Sequence, residues 1–369
     1  MSHSGYQVLV VGGGPAGLAT ATYLARRGLS AMVIERSAYD DVRVGEHLQP
    51  AGVLQLRTIS SSMLAPDAHF ASAGVVAYWG SDTPNHMDYF LHAGQHGLNL
   101  SRPRFDADLA HACELSGATV ARSAALVSAV RTGPTWDVEI IVDGAIRRLP
   151  ASVIVDATGR AATFARRQGA TVCADDRQIA LAAFADGSHK RAAHSRSVVE
   201  ATEIGWWYAA PIGETRSICM LVTDHDLLPR WTIKRHAWWR EQMAHTTQLP
   251  EHFCDFGPSP CLIVRSARSQ QLDVTSGIGW LAVGDAAMAF DPLASQGIAK
   301  ALQQGKRAAA SIVAYLAGDA SSLEQFSLEL QREYAAYRAT RADYYRLEKR
   351  WAGSTFWKRR HEAPAEHSG

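Results

Sequence analysis

The chain has 369 residues, 47% of them hydrophobic, with 37 basic and 36 acidic side chains and a formal charge of +1. That size buries one large core or about two domains, and the even charge balance argues against nucleic acid or an anionic membrane as partner. Five cysteines (113, 173, 219, 254 and 261) are an odd number without CxxC spacing, and no histidine pairs with one at ligand spacing, so reduced thiols and no metal centre are expected.

The first residues carry no basic leader segment, and no apolar stretch reaches the ~18 to 20 residues that span a bilayer, so a cytoplasmic protein without a membrane span is expected. Residues 7–11 read as a buried strand, Gly12 to Gly17 as a turn, and Leu18–Arg27 as a helix ended by Gly28. Ser30–Ile34 is a second strand, which closes a βαβ unit. Residues 70–100 read as strands and loops, and Asp106–Ser116 as a helix before a short strand at 118–120. A hairpin follows over 135–149, with its turn at Asp143-Gly144, and then a buried parallel-type strand at 153–155. Residues 180–225 alternate like a larger antiparallel sheet, 229–246 are helical, and Trp280–Val283 is a strand running into Gly284-Asp285. Helices are expected over 297–317 and over about 322–350, the latter charged and with Tyr repeated on one side.

These elements predict a mixed α/β fold of interleaved domains. A discontinuous nucleotide-binding domain takes 1–70, 98–165 and 265–320. A sheet-rich substrate domain takes 71–97 and 166–264, and a helical C-terminal segment takes 321–369.

Gly12-x-Gly14-x-x-Gly17 follows a strand, opens a helix and is trailed by Glu35 at the end of the next strand. Gly12 permits the tight turn, Gly14 lets the backbone approach a pyrophosphate, and Gly17 allows close helix–strand packing. The helix N-terminus then faces the phosphates, and Glu35 is placed to accept from a ribose hydroxyl. A strand ending in Gly284-Asp285 can set a carboxylate against a ribityl hydroxyl, and Pro292 and Gly297 start a helix whose N–H groups can face a flavin. Together the two segments point to FAD rather than NAD.

Gly12–Gly17, Asp156-Ala-Thr-Gly159-Arg160 and Gly284-Asp285 resemble the FAD-dependent aromatic hydroxylase and tryptophan-halogenase superfamily. The resemblance implies a glutathione-reductase-type FAD-binding domain with an inserted antiparallel-sheet substrate domain and C-terminal helices. Gly45-Glu46, Arg102, Trp206-Trp207-Tyr208-Ala-Ala-Pro211, Thr223-Asp224, Arg350-Trp351 and Phe356-Trp357 narrow the likeness. They resemble the LodB/GoxB/QhpG-like flavoprotein monooxygenases of quinone cofactor biogenesis. Arg36, Arg43 and Arg102 join the residues expected to contact the cofactor, and Glu46 with Arg43 sits in a loop that in the family lies near the flavin ring.

The superfamily offers two chemistries from one flavin C4a-hydroperoxide, oxygen transfer to an aromatic ring or oxidation of a halide. Halogenases use a lysine downstream of the Gly-Glu pair, whereas this chain has none before Lys190 and places Tyr78 and Trp79 in that window. The halogenase glutamate in the DPLxS element is Ala294 here, and their WxWxIP signature is only partly met by Trp206-x-Tyr208-x-Ala210-Pro211. The expectation is therefore hydroxylation of an electron-rich indole or phenol with dioxygen (O2), the ring free or borne by a peptide or protein tryptophan. A halogenase, a geranylgeranyl-reductase-type dehydrogenase or reductase, and a non-catalytic partner-binding scaffold are the rivals. No second dinucleotide fingerprint occurs, so NAD(P)H must bind transiently or a separate flavin reductase must supply electrons.

Trp206 and Tyr208 either line a substrate pocket or form sheet core. His47, beside Glu46, is either a base near the flavin or a hydrogen-bonded structural residue. Asp291 is placed to cap the turn after Pro292. Trp231, Trp238 and Trp239 share a helix face and are expected in a core or partner contact.

Overall fold

The computed structural model describes residues 5–64, 69–186, 195–229, 232–249 and 261–362. The chain divides into two compact units, each assembled from three segments. The first holds Met1–Ala68, Arg102–Ala174 and Ser269–Ala335; the second holds His69–Ser101, Asp175–Arg268 and Ala336–Gly369. The C-terminal segment is no body of its own, because the division cuts its helix, Ser322–Leu347, after Ala335.

The first unit is organised by a six-stranded sheet in the order Ser276–Gly277, Trp280–Ala282, Val153–Asp156, Val8–Val11, Ala31–Ile34, Thr119–Ala121. All neighbours pair in parallel except the first two strands. Val8–Val11, Ala31–Ile34 and Val153–Asp156 are buried at every residue, as parallel strands covered on both faces must be. The register sets Val11 beside both Ile34 and Asp156, and Asp156 beside Ala282. Four strands therefore end together, and the turns beginning at Gly12, Glu35, Ala157 and Val283 leave from one edge. Ligands of open α/β sheets bind outside such carboxyl ends.

Two helices fix that edge. Pro15–Ala25 follows the first strand, and Gly297–Leu316 lies along it through Gly305, where a Cβ would come within 2.7 Å of the Ala19 Cβ and 2.8 Å of the Ala16 carbonyl. Helix Arg102–Leu115 begins earlier than the expected Asp106. The helix Pro50–Ile59 was not among the expected elements, although Val53, Leu56 and Ile59 give it a buried stripe. The hairpin Thr135–Val142/Ala145–Ala151 turns as expected at Asp143 (φ 51) and Gly144 (φ 74).

The second unit is built on a seven-stranded sheet in the order Ile263–Ser266, Gln178–Asp186, Arg216–Asp224, Gly205–Pro211, Arg196–Thr202, Gly74–Tyr78, Asn85–Asp88. The expected antiparallel pairs form, but Gly74–Tyr78 adds in parallel to Arg196–Thr202. Gly205–Pro211 is buried throughout, and its side chains alternate between the faces. On one face Trp207 packs with Leu181, Val198, Cys219, Leu221 and the Trp239 of helix Thr232–Ala244. The two indoles meet edge-on at 5.1 Å, and Trp239 Nε1 donates to the Leu181 carbonyl at 3.2 Å. Burying each such ring contributes about 2–3 kcal/mol. Trp239 is thus core, Trp238 packs at its margin, and Trp231 lies outside the described residues. Among the described residues no helix is long and apolar enough to cross a membrane.

Candidate functional site

At the edge where the four strands end, the three glycines of the first turn differ in what surrounds them. Gly12 has φ +106, and a Cβ there would lie 2.3 Å from the Ala157 carbonyl oxygen. A Cβ on Gly17 would lie 2.1 Å from the carbonyl oxygen of Gly12. Both are demanded by the protein's own packing. Gly14 has an ordinary φ of −78 and, among the described residues, would meet nothing within 4 Å, so none of their atoms explains the missing side chain there. Gly14 is the N-cap of Pro15–Ala25, with no side-chain cap and no acidic residue in the first turn. The open space beside Gly14 thus lies at a helix N-terminus without a side-chain cap, the arrangement that receives a pyrophosphate. The residues fit a dinucleotide.

Glu35 is buried at the end of the next strand. Its Oε2 accepts from Gly13 N at 2.6 Å, and its Oε1 from Ser37 N at 2.9 Å and Ser37 Oγ at 2.6 Å. Burial pushes its carboxyl up, but these hydrogen bonds and Arg43 hold it below the ordinary carboxylate value. The group is an ionised acceptor. Arg36, next in sequence, is exposed. Arg43 reaches Ser37 Oγ at 2.7 Å and Asp106 at 3.1 Å, while Arg102 reaches the same Asp106 at 3.1 Å and the carbonyls of Val44 and Gly45 at 3.1 Å. Asp106 is 1% exposed and holds both arginines. It was not among the expected site residues, although its spacing from Arg102 on one helix is a pairing signal.

Asp156 is fully buried, and its oxygens are committed locally. Oδ1 accepts from Thr158 N and Oγ1, and Oδ2 from Ala165 N. It shapes the turn that sets Gly159 (φ +66), whose own Cβ position is open. Asp285 differs, because its side chain is 37% exposed while it pairs with Lys300 at 3.0 Å and Arg160 at 3.7 Å. Gly284 (φ +61) donates its N–H to Gln304 Oε1 at 2.9 Å. Asp291 caps the following turn as expected, accepting from Leu293 N at 2.9 Å. Pro292 opens only a single 3-10 turn, which Ser295 (φ 49) ends, and the long helix starts separately at Gly297 with no side-chain cap.

The loop before Pro50 joins this group. Gly45 has φ +109, Glu46 and His47 are buried, and Gln49 Nε2 donates to the Ala294 carbonyl at 2.9 Å. Glu46 accepts from Gly45 N at 3.0 Å. The first unit thus brings together Gly12, Gly14, Gly17, Glu35, Arg43, Arg102, Gly159, Gly284, Asp285 and the Gly297 helix end around the carboxyl ends of its strands.

Trp206 and Tyr208 belong to the second unit and share one face of its sheet. Trp206 is 1% exposed, and its indole N–H donates to the Tyr345 hydroxyl at 3.0 Å, which also receives Gln178 Nε2 at 2.8 Å. Of the two readings open for Trp206, the structure supports core. Tyr208 is also buried, its hydroxyl 3.4 Å from that of Ser197. Beside Tyr345 sits Trp79, whose indole N–H donates to the Tyr344 carbonyl at 2.8 Å and whose ring meets Tyr345 and Trp357 edge-on at 5.6 and 5.2 Å.

The family described as "FAD binding domain" matches residues 5–342. The chain is 28% identical to LodB of Marinomonas mediterranea, named as an FAD-dependent oxidoreductase, over 96% of this chain and 97% of that one. Among solved structures, the myxobacterial chondrochloren halogenase CndH superposes with a TM-score of 0.87 at 22% identity, covering 98% of this chain and 87% of the other. The peptidyl tryptophan dihydroxylase QhpG superposes with a TM-score of 0.80 at 23% identity, covering 99% and 80%.

Proposed function

The chain belongs to the FAD binding domain family, and from that premise we propose that it is an FAD-dependent monooxygenase hydroxylating an electron-rich aromatic ring. The ring is an indole or phenol, and a tryptophan side chain in a peptide or protein is the form that the likeness to QhpG favours. When bound and reduced, FAD supplies the activation of dioxygen, and the protein supplies position, charge and exclusion of water. Gly12–Gly17 and the Pro15–Ala25 helix end would hold the pyrophosphate, Glu35 a ribose hydroxyl, and Asp285 the ribityl chain. Arg43 and Arg102, fixed by Asp106, would set the loop that carries Glu46 and His47. His47 would serve as the group that moves a proton near the substrate. Electrons would come from NAD(P)H bound transiently or from a separate flavin reductase.

One observation carries the choice of hydroxylation. The window in which halogenases of the superfamily carry their lysine holds Tyr78 and Trp79 here, and Trp79 packs against Tyr345 and Trp357 with its N–H already bonded. The chain has no other lysine in that region, its first being Lys190. That window thus supplies no halogenating amine. The likeness in fold to CndH favours halogenation as the second reading. Reduced FAD, isotopically labelled dioxygen and chloride or bromide, supplied with tryptophan-bearing peptides and free indoles, separate the two. Labelled oxygen in the aromatic product supports the proposal, and halogenated product at comparable turnover overturns it. A reduced product without label would instead point to a dehydrogenase or reductase.

A further inference from the structure

Lys300 stands in a place where a lysine is doubly unfavourable. It lies in the first turn of Gly297–Leu316, at the positive end of the helix dipole, and its side chain is only 3% exposed. Three groups compensate it. Its Nζ donates to Asp285 Oδ1 at 3.0 Å and to the Met288 carbonyl at 2.5 Å, and it sits 4.3 Å above the centre of the Phe290 ring. The other carboxylate oxygen of Asp285 faces Arg160 Nε at 3.7 Å, and Arg160 is itself held by the Phe290 carbonyl at 2.9 Å. Burial alone would raise the Asp285 carboxyl, yet Lys300 and then Arg160 hold it below its ordinary value. The pair is asymmetric: the ammonium is enclosed, while the carboxylate is 37% exposed at the strand edge.

We propose that Lys300 is a positioning residue for the cofactor, which clamps the inner oxygen of Asp285 so that the carboxylate presents its outer edge to a hydroxyl of the bound FAD. This rests on the reading of Asp285 as a flavin contact. The hydrogen bonds of this buried cation end on one carboxylate and one carbonyl, with one ring beneath it and Glu333 acting on it electrostatically. Its retention at this edge follows if the orientation of Asp285 sets how well FAD is held. Loss of the clamp leaves Asp285 turned toward Arg160, so binding weakens through the carboxylate rather than through any contact of Lys300 with the flavin.

The test is a double-mutant cycle on the full chain, read as the FAD dissociation constant by fluorescence titration of flavin-stripped protein. Asp285→Asn should weaken FAD by at least about tenfold, Lys300→Met by a similar factor, and the double variant by no more than the weaker single one. Lys300→Arg, which keeps the charge, should recover most of the affinity. Multiplicative losses in the double variant, or Lys300→Met binding within about twofold of the unsubstituted chain while Asp285→Asn fails, would overturn the clamp with the flavin site intact. An unchanged constant for Asp285→Asn would remove the flavin contact itself, and the clamp with it. Lys300→Gln takes the place of Lys300→Met if circular dichroism shows the latter unfolded, with the same outcomes expected.

Discussion

The two units satisfy their unusual residues in opposite ways. In the first, Gly14 lacks any neighbour that forbids a side chain, two helix ends lack side-chain caps, and Asp285 turns a charged edge outward. In the second, the indole N–H groups of three large buried tryptophans find partners within the unit, although that of Trp207 has none among the described residues and is held by packing alone. Trp206 donates to Tyr345, Trp239 to Leu181, Trp357 to the Thr202 carbonyl at 2.7 Å, and buried Asp224 accepts from Arg359 and Arg360. The difference teaches how to tell a binding site from a core. A side chain packed by the protein's own atoms is structural, and a missing side chain that neither packing nor backbone angle explains points to a ligand.

Substitutions can break that contrast. The largest effect is expected in the second unit, where Asp224→Ala strands the Arg360 guanidinium, 4% exposed, and should cost about 3–5 kcal/mol in denaturant melts. Affinity for FAD should survive in whatever fraction stays folded. Burial pushes the Asp224 carboxyl up, but Arg360 and Arg359 hold it below its ordinary value of 3.8. Its stabilisation is thus complete above that value and is lost as pH falls through the depressed folded one, so Asp224→Asn should flatten the acid limb of the stability curve.

Next comes Gly17→Ala, which forces a Cβ to within 2.1 Å of the Gly12 carbonyl. A loss of about 2–3 kcal/mol is expected, together with loss of FAD. Tyr345→Phe removes the acceptor shared by Trp206 and Gln178 and should cost about 2 kcal/mol by chemical denaturation, with the flavin retained. The smallest stability effect belongs to Gly14→Ala. Melting of the flavin-free protein should be unchanged or raised by up to about 1 kcal/mol, since the native φ suits alanine. Affinity for FAD should nonetheless fall at least about tenfold, because the new methyl occupies the space left for the pyrophosphate. A destabilised Gly14→Ala, or one that binds FAD normally, would erase the distinction drawn between Gly14 and Gly17.

The first unit was the more legible in the sequence because its signals are local. Strand, glycine turn, helix and acidic residue occur within Val8–Glu35, and the Asp143-Gly144 turn is a two-residue pattern. What escaped depends on pairing across long separations. Gly74–Tyr78 joins its sheet in parallel with Arg196–Thr202, and neither segment announces the other. Asp106 carries no motif beyond its helix spacing from Arg102, and its link to Arg43 exists only once the fold is made. Lys300 reads as one more lysine on an amphipathic helix until its side chain is seen enclosed. The choice between pocket and core for Trp206 turned on Tyr345, which is remote in the chain.

Hydrogen–deuterium exchange with and without FAD tests the account most directly. FAD should slow exchange at residues 12–17, 35–47 and 284–300 and leave Gly205–Pro211 and Arg216–Asp224 nearly unchanged. Exchange at 12–17 and 284–300 that stays the same on adding saturating FAD would contradict the assignment of the cofactor to this strand edge.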